Sequence, residues 1–346
     1  MANILIDTEV FVGQGFNLDR DVFMTLRDFV DKGRVDLFLT EVIDREVIAD
    51  LRERSKDAQN AIRRTLKDHP FLQHSPKVPF DALTRKDSLS DLTDIVLARW
   101  DKWKRVNHAT VLSVKHVDAD TILKAYFAEN PPFGVGNKKA EFPDAFTMHS
   151  AIRWCEDTGE KMIVVSKDND IRRFCEAHDG RLEHVASLAE ALEAFTDATV
   201  AAKLHAGFEE MEPEIADAIR EEFEGRAFTA YEFDGDVENI EIIEIGFDDL
   251  HIMEADAGRG TAEVQFGVRF TASVCHNDPD SGMWDKEDQQ MIFVERVTTE
   301  VEEEVVETAY IDFNYDEGDP DEIEVDRISF SGGDIDVDLN RYIYPG

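Results

Sequence analysis

Four acidic residues carry the strongest chemical signal in the sequence. Asp7 ends the apolar run NILID, Glu46 lies in TEVIDREV, Asp144 opens EFPDAFTMHS, and Asp168 follows the apolar run of VVSKDND. Carboxylates brought together repel one another and resist ionisation unless a cation stands between them, so four that converge point to Mg²⁺ or Mn²⁺. An ion held there lowers the pKa of water at the site and neutralises charge developing on a phosphate, which suits phosphodiester hydrolysis. Each acid also has an ordinary structural reading. Asp144 could answer a helix macrodipole, Asp168 or Asp170 could cap the following helix, and Glu46 could lie on a solvated face. Asp7 is harder to explain this way, because an acid closing an apolar strand has few structural duties.

Other candidates are weaker. Lys138 and Lys139, just before Asp144, could hold a substrate phosphate or belong to a solvated loop. Arg99, Lys102, Lys104 and Arg105 interleave with Trp100 and Trp103. That pattern serves a single nucleic-acid strand by charge and stacking, or an amphipathic helix that buries its tryptophans. The ten histidines form no HxxxH or HExxH pattern, and GVGNKK lacks P-loop spacing. Cys155, Cys175 and Cys275 are too widely spaced for a CxxC metal pair, and their odd number gives no disulfide framework.

The elements that must position these acids alternate in type along the first two hundred residues. Strands are predicted over 3–6, 35–39 and 161–166, and helices over 21–32, from 41 to just before Pro70, over 92–105, 119–128 and 143–155, then 171–177 and 188–195. This is how a parallel sheet with crossover helices reads, and such a sheet gathers residues at the carboxyl ends of its strands. The helix from Glu41 runs through a basic stretch, Arg52, Arg54, Lys56, Arg63, Arg64 and Lys67. Residues 70–138 read as a helical insertion. Residues 198–224 read as a helical linker interrupted at Pro213, after which the period becomes two. In AEVQFGVRFTASV, residues 264, 266, 268, 270, 272 and 274 are apolar on one face and their neighbours mostly polar, and similar runs predict about six antiparallel strands.

The chain is 346 residues long with a formal net charge of −39, and the charge is uneven. Residues 1–200 carry 28 Lys+Arg against 35 Asp+Glu, a net of −7, whereas 201–346 carry 9 against 41, a net of −32. So acidic a region repels phosphate backbones and favours solubility, a basic protein partner or mimicry of a nucleic acid. No apolar run approaches the length of a membrane helix and no basic region precedes the first apolar stretch, so a cytoplasmic protein without membrane contact is expected.

The order strand-Asp, T-x-x-x-x-x-E entering a helix, a Lys-rich loop leading to E-F-x-D-A, then V-V-S-x-D-x-D-I resembles the PIN domain, a family of metal-dependent nucleases. The resemblance covers roughly residues 1–190 and is closest to the bacterial PIN-like branch with a long helical insertion. It implies an α/β fold, a PIN-like parallel sheet flanked by helices (1–197); the separate, mainly antiparallel acidic β domain (225–346) after the linker is predicted by the period-two runs and not by the resemblance. It implies that Asp7, Glu46, Asp144 and Asp168 are the catalytic, metal-binding acids for Mg²⁺ or Mn²⁺, with Asp170 an additional ligand and Ser166 the accessory hydroxyl. The implied activity is an endonuclease, RNA favoured over DNA, leaving 5′-phosphate and 3′-hydroxyl ends, with a role in toxin or defence systems. Ser in place of the commoner Thr at 166, the insertion and the unrecognised acidic tail depart from the minimal pattern. The tail could bind a protein partner or restrain the nuclease within the same chain, and an oligomer is left open. The rival expectation is a non-catalytic scaffold whose acidic β domain recruits a basic partner.

Overall fold

The computed structural model describes residues 1–75, 77, 83, 92–134, 141–230, 235–278, 281, 283–285, 290–292, 295–330 and 333–343. It divides into two compact units, Met1–Ala191 and Leu192–Gly346.

In the first unit, β1 (Ala2–Ile6) lies at the centre of a five-stranded sheet with β2 (Val35–Thr40), β3 (Thr110–Leu112), β4 (Met162–Val165) and β5 (Leu182–Val185), in the order β3-β2-β1-β4-β5. Every pairing is parallel. Ile4, Leu5, Ile6, Leu37, Leu39, Val164 and Val165 are buried, as expected for strands covered on both faces. The chain builds outward from β1 through β2 to β3 and then returns to the other side of β1 for β4. That reversal opens a crevice at the carboxyl ends of β1 and β4. The short strands β3 and β5 escape the sequence reading because three or four residues give no measurable period.

Helices α1 (Thr8–Gly13), α2 (Asp21–Asp31), α3 (Glu41–Asp68), α4 (Leu92–Val106), α5 (Ala119–Ala128), α6 (Phe142–Thr158) and α7 (Asn169–Ala177) flank the sheet. The Thr40 hydroxyl accepts from the Ile43 N–H, capping the 28-residue α3 where β2 ends. The segment expected as an insertion is partly core. β3 forms an edge of the sheet, and Trp100 and Trp103 of α4 stack 5.2 Å apart and meet Phe11 edge-on. Trp100 Nε1 donates to Asp44 Oδ1 at 2.7 Å, and Lys104 Nζ reaches the same oxygen at 2.6 Å. Arg99 pairs with Asp19. The tryptophans are therefore packing residues, not stacking platforms, and two of the four interleaved cations hold acids of the protein.

The second unit opens with the end of α8 (Leu188–Glu193) and with α9 (Ala198–Glu224), followed by β6 (Phe228–Ala230), β7 (Gly235–Asp256) and β8 (Arg259–Asn277). The hairpin β9 (Met283–Asp285) and β10 (Gln290–Ile292), then β11 (Arg296–Asp316), β12 (Asp319–Phe330), β13 (Ile335–Asp336) and α10 (Asn340–Ile343) complete it. The main sheet has the order β12-β11-β8-β7-β6-β13 and is antiparallel except at β6–β13. Pro213 does not interrupt α9, which is one helix of 27 residues. Nor is α9 only a linker: Leu204, Phe208, Ile215, Ile219 and Phe223 share a core with Val264, Phe266, Val268 and Phe270 of β8. The predicted apolar face of β8 is the face that is buried. The turn between β7 and β8 puts Ala257 and Gly258 at φ 50° and 74°, the positive pair that a two-residue hairpin requires.

Glu193 stands between two imidazoles of this unit, its carboxylate accepting from His205 Nε2 at 2.5 Å and His251 Nδ1 at 3.1 Å. Burial alone would raise its pKa, but the two imidazoles outweigh it and hold the carboxyl down at about 2. A depressed carboxyl stabilises the fold above its unfolded pKa near 4.5, and that contribution disappears as pH falls through 2. Glu193→Gln is expected to cost about 2 kcal/mol at pH 6, after discount for partial exposure. Urea titrations of both proteins should show the difference shrinking as pH drops from 4.5 toward 2. A difference that stays constant over that window would remove the ionic origin.

Candidate active site

Asp7 closes β1 and caps α1: its Oδ1 accepts from the Thr8 N–H at 2.7 Å. Its Oδ2 accepts from the buried Ser166 hydroxyl at 2.9 Å, across from the end of β4. Burial raises the Asp7 carboxyl to about 6; the Ser166 and Thr8 hydrogen bonds oppose the rise, while Glu9 and Glu46 add to it. Glu46, in the second turn of α3, accepts from the Thr8 hydroxyl at 2.7 Å. Its pKa is also raised, first by burial, against the Thr8 hydrogen bond and with help from Asp50. Thr8 thus joins the two acids, its amide to one and its hydroxyl to the other.

Asp144 sits in the first turn of α6, whose position relative to β2 is fixed by the buried contact of the Thr40 and Thr147 hydroxyls at 3.1 Å. Its carboxyl is raised to about 7 by burial first, then by Asp7, Glu46, Asp168 and Glu141. Charges act on Asp144 from three other elements at once, so the four acids named from sequence converge at the carboxyl edge of the sheet. Asp168 keeps its structural duty there: its Oδ1 accepts from the N–H groups of Asp170 and Ile171 and caps α7.

Asp170 is turned to other partners. It pairs with Arg173 at 3.0 Å, and it lies so close to Gly134 that a Cβ there would come within 3.0 Å of its Oδ2. Lys138 and Lys139 lie outside the described residues. Glu9, in the first turn of α1, was missed by sequence reasoning; its Oε1 accepts from the Ser166 hydroxyl at 3.0 Å and from the Lys167 N–H. Ser166 has a single hydroxyl proton for the carboxylates of Asp7 and Glu9, so protonation of Asp7 and the direction of that hydrogen bond are coupled. A second acid two residues after Asp7 was the available signal.

Residues 4–171 match the family model for the PIN domain. This part of the chain is a PIN domain. The five-stranded parallel sheet flanked by helices agrees with that fold. PIN domains are generally nucleases that depend on divalent metal, and a nuclease-type function follows at that level for this one. No curated protein and no solved structure matches the chain. No helix among the described residues is long and apolar enough to cross a membrane.

Among the described residues no three His, Cys, Asp or Glu side chains form a ready ligand group. Asp7, Glu46 and Asp168 are each engaged by hydrogen bonds of the protein. The donor chemistry nevertheless fits Mg²⁺ or Mn²⁺: every acid offers hard oxygen ligands, and their mutual repulsion is what a divalent cation relieves.

Proposed function

We propose that the PIN domain is a metal-dependent endonuclease, with RNA as the favoured substrate, and that Asp7, Glu46, Asp144 and Asp168 are its working acids. The observation that carries this reading is the match of residues 4–171 to the PIN domain, within which Thr8 and Ser166 tie Asp7 and Glu46 together at the carboxyl edge of the sheet; the rise of the Asp144 carboxyl, by burial first and then by its acidic neighbours, agrees with it. Structural caps need no such assembly. A divalent cation bound there would neutralise phosphate charge and acidify attacking water.

The protein's own groups have separable roles in this reading. Thr8 holds Glu46 and Asp7 in register, Ser166 orients Asp7, and Asp144 takes up or gives back a proton as its neighbours change charge. Asp168 contributes a carboxylate fixed by the start of α7. Asp170 is kept as a reserve ligand only if its pairing to Arg173 is given up.

The test is cleavage of a panel of structured RNA, single-stranded RNA and DNA with Mg²⁺ or Mn²⁺, using wild type beside Asp7→Asn. Metal-dependent cutting that the substitution removes supports the reading, and the preferred member of the panel gives the substrate class. Absence of cutting together with absence of thermal stabilisation by Mn²⁺ would hand the case to the scaffold reading, in which the acidic β domain recruits a basic partner.

A further inference from the structure

The basic stretch of α3 is sorted onto one face. At 3.6 residues per turn, Arg45, Arg52, Lys56, Arg63 and Lys67 fall within about 60° of arc and span about 33 Å along the helix. All five are exposed. Arg45 lies 3.7 Å from Glu41, and the other four make no ion pair with any described residue. Arg54 is on the far side, over the ring of Phe16, and Arg64 pairs with Asp68. The acids Asp50, Glu53 and Asp57 share a neighbouring flank with Arg64, and no acid falls within the arc of the five cations.

This sorting works against helix stability. Arg52 with Lys56, and Arg63 with Lys67, are like-charge pairs at i,i+4, a spacing at which like charges destabilise a helix. A helix selected only for solubility would place acid and base at that spacing. In a chain of net charge −39, a stripe that begins one residue before Glu46 and leaves four of its five cations without acidic partners among the described residues is a surface made for a polyanion.

We infer that this face of α3 binds the sugar-phosphate backbone of a nucleic acid and leads it to the carboxylate edge where Glu46 sits. The identity of the polyanion rests on the nuclease reading above. The contact is one of phosphates, without base recognition, because the stripe is built from exposed cations and no aromatic ring lies among them. It supplies the local attraction that the acidic chain as a whole lacks.

The experiment uses the full-length protein in EDTA, so that binding is read without cleavage. Fluorescence anisotropy with a 20-nucleotide single-stranded RNA, and with its duplex, is followed over a salt series for wild type and for the combined R52A, K56A, R63A and K67A variant. Alanine is the best helix former and the substitutions remove like-charge repulsion, so the variant is expected to fold at least as stably as wild type. Losing four phosphate contacts should weaken binding about 30-fold at low salt and flatten the slope of log K against log salt by about 3. Neutralising the flank with E53Q and D57N should leave binding as strong or strengthen it.

Equal affinity and equal slope for wild type and the fourfold variant would overturn the inference. Absence of binding by wild type would do the same, and a change in oligomeric state in the variant would then assign the stripe to the acidic surface of a second copy. Cleavage of a trinucleotide by the fourfold variant separates the two proposals. Binding lost with trinucleotide cleavage retained supports the stripe and the nuclease together. Stripe-dependent binding with no cutting by either protein supports the stripe and removes the nuclease.

Discussion

Asp144→Asn is expected to stabilise the metal-free protein at pH 8 while reducing metal-dependent cleavage by on the order of 10² to 10³-fold. Burial first, and then four neighbouring acids, lift the Asp144 carboxyl from 3.8 to about 7. A group whose folded pKa lies above its unfolded value carries no penalty below the unfolded pKa and the full penalty once pH passes the folded one. The wild-type fold therefore loses stability between about pH 4 and 7 through this residue. Each unit is worth 1.36 kcal/mol, which puts a ceiling of about 4 kcal/mol on the effect. Partial exposure and the shared burden with Asp7 reduce it to about 2 kcal/mol.

Urea unfolding in EDTA reads the first half of that expectation. The variant should be more stable than wild type at pH 8 and equal to it near pH 4. Millimolar Mn²⁺ should then narrow the gap at pH 8, because a ligand bound only by the native state stabilises it, and the wild type binds better. Asn at 144 that is neutral or destabilising at pH 8 would mean that the carboxylate is not held against repulsion, and the argument for a cation at this edge would fail with it.

Gly260→Ala is expected to destabilise the second unit by about 3 kcal/mol, at the upper end of what overpacking costs. Gly260 lies in β8 between Ala255 of β7 and Phe313 of β11. A Cβ there would come 2.3 Å from Phe313 Cζ and 2.7 Å from the backbone oxygen of Glu254. The ring can swing away, but the backbone of a paired strand cannot without breaking the ladder. Phe313→Leu placed on Gly260→Ala should therefore recover only part of the loss. Chemical denaturation of wild type, both single variants and the double variant measures this as a coupling energy. Full recovery would mean that the ring alone forbids a side chain at 260, and no loss at all would mean that the strands can separate.

The sequence reached far into the first unit because its signals are local. The runs at 4–6 and 162–165 are continuous and apolar, a pattern that suits a strand buried on both faces. The ends of those runs place Asp7 and Asp168, and Thr40 announces the helix that carries Glu46. The 2-residue alternation of β8 identified its buried face in the same way. Pro213 misled because a proline inside a helix is a local penalty of about 3 kcal/mol, and the core shared by α9 and β8 outweighs it.

What sequence alone determined was the kind of sheet, the apolar faces and the places of Asp7, Asp144 and Asp168 at strand or helix ends. Those follow from neighbours along the chain. Tertiary structure decided what those acids and cations do to one another. Only the fold brings Thr8 to Glu46 across 38 positions and Ser166 to Asp7 across 159, draws Asp170 aside to Arg173, and buries the tryptophans whose spacing suited stacking. Charge interaction and burial depend on distance in space, and spacing along a chain reports that distance only within a single helix or strand.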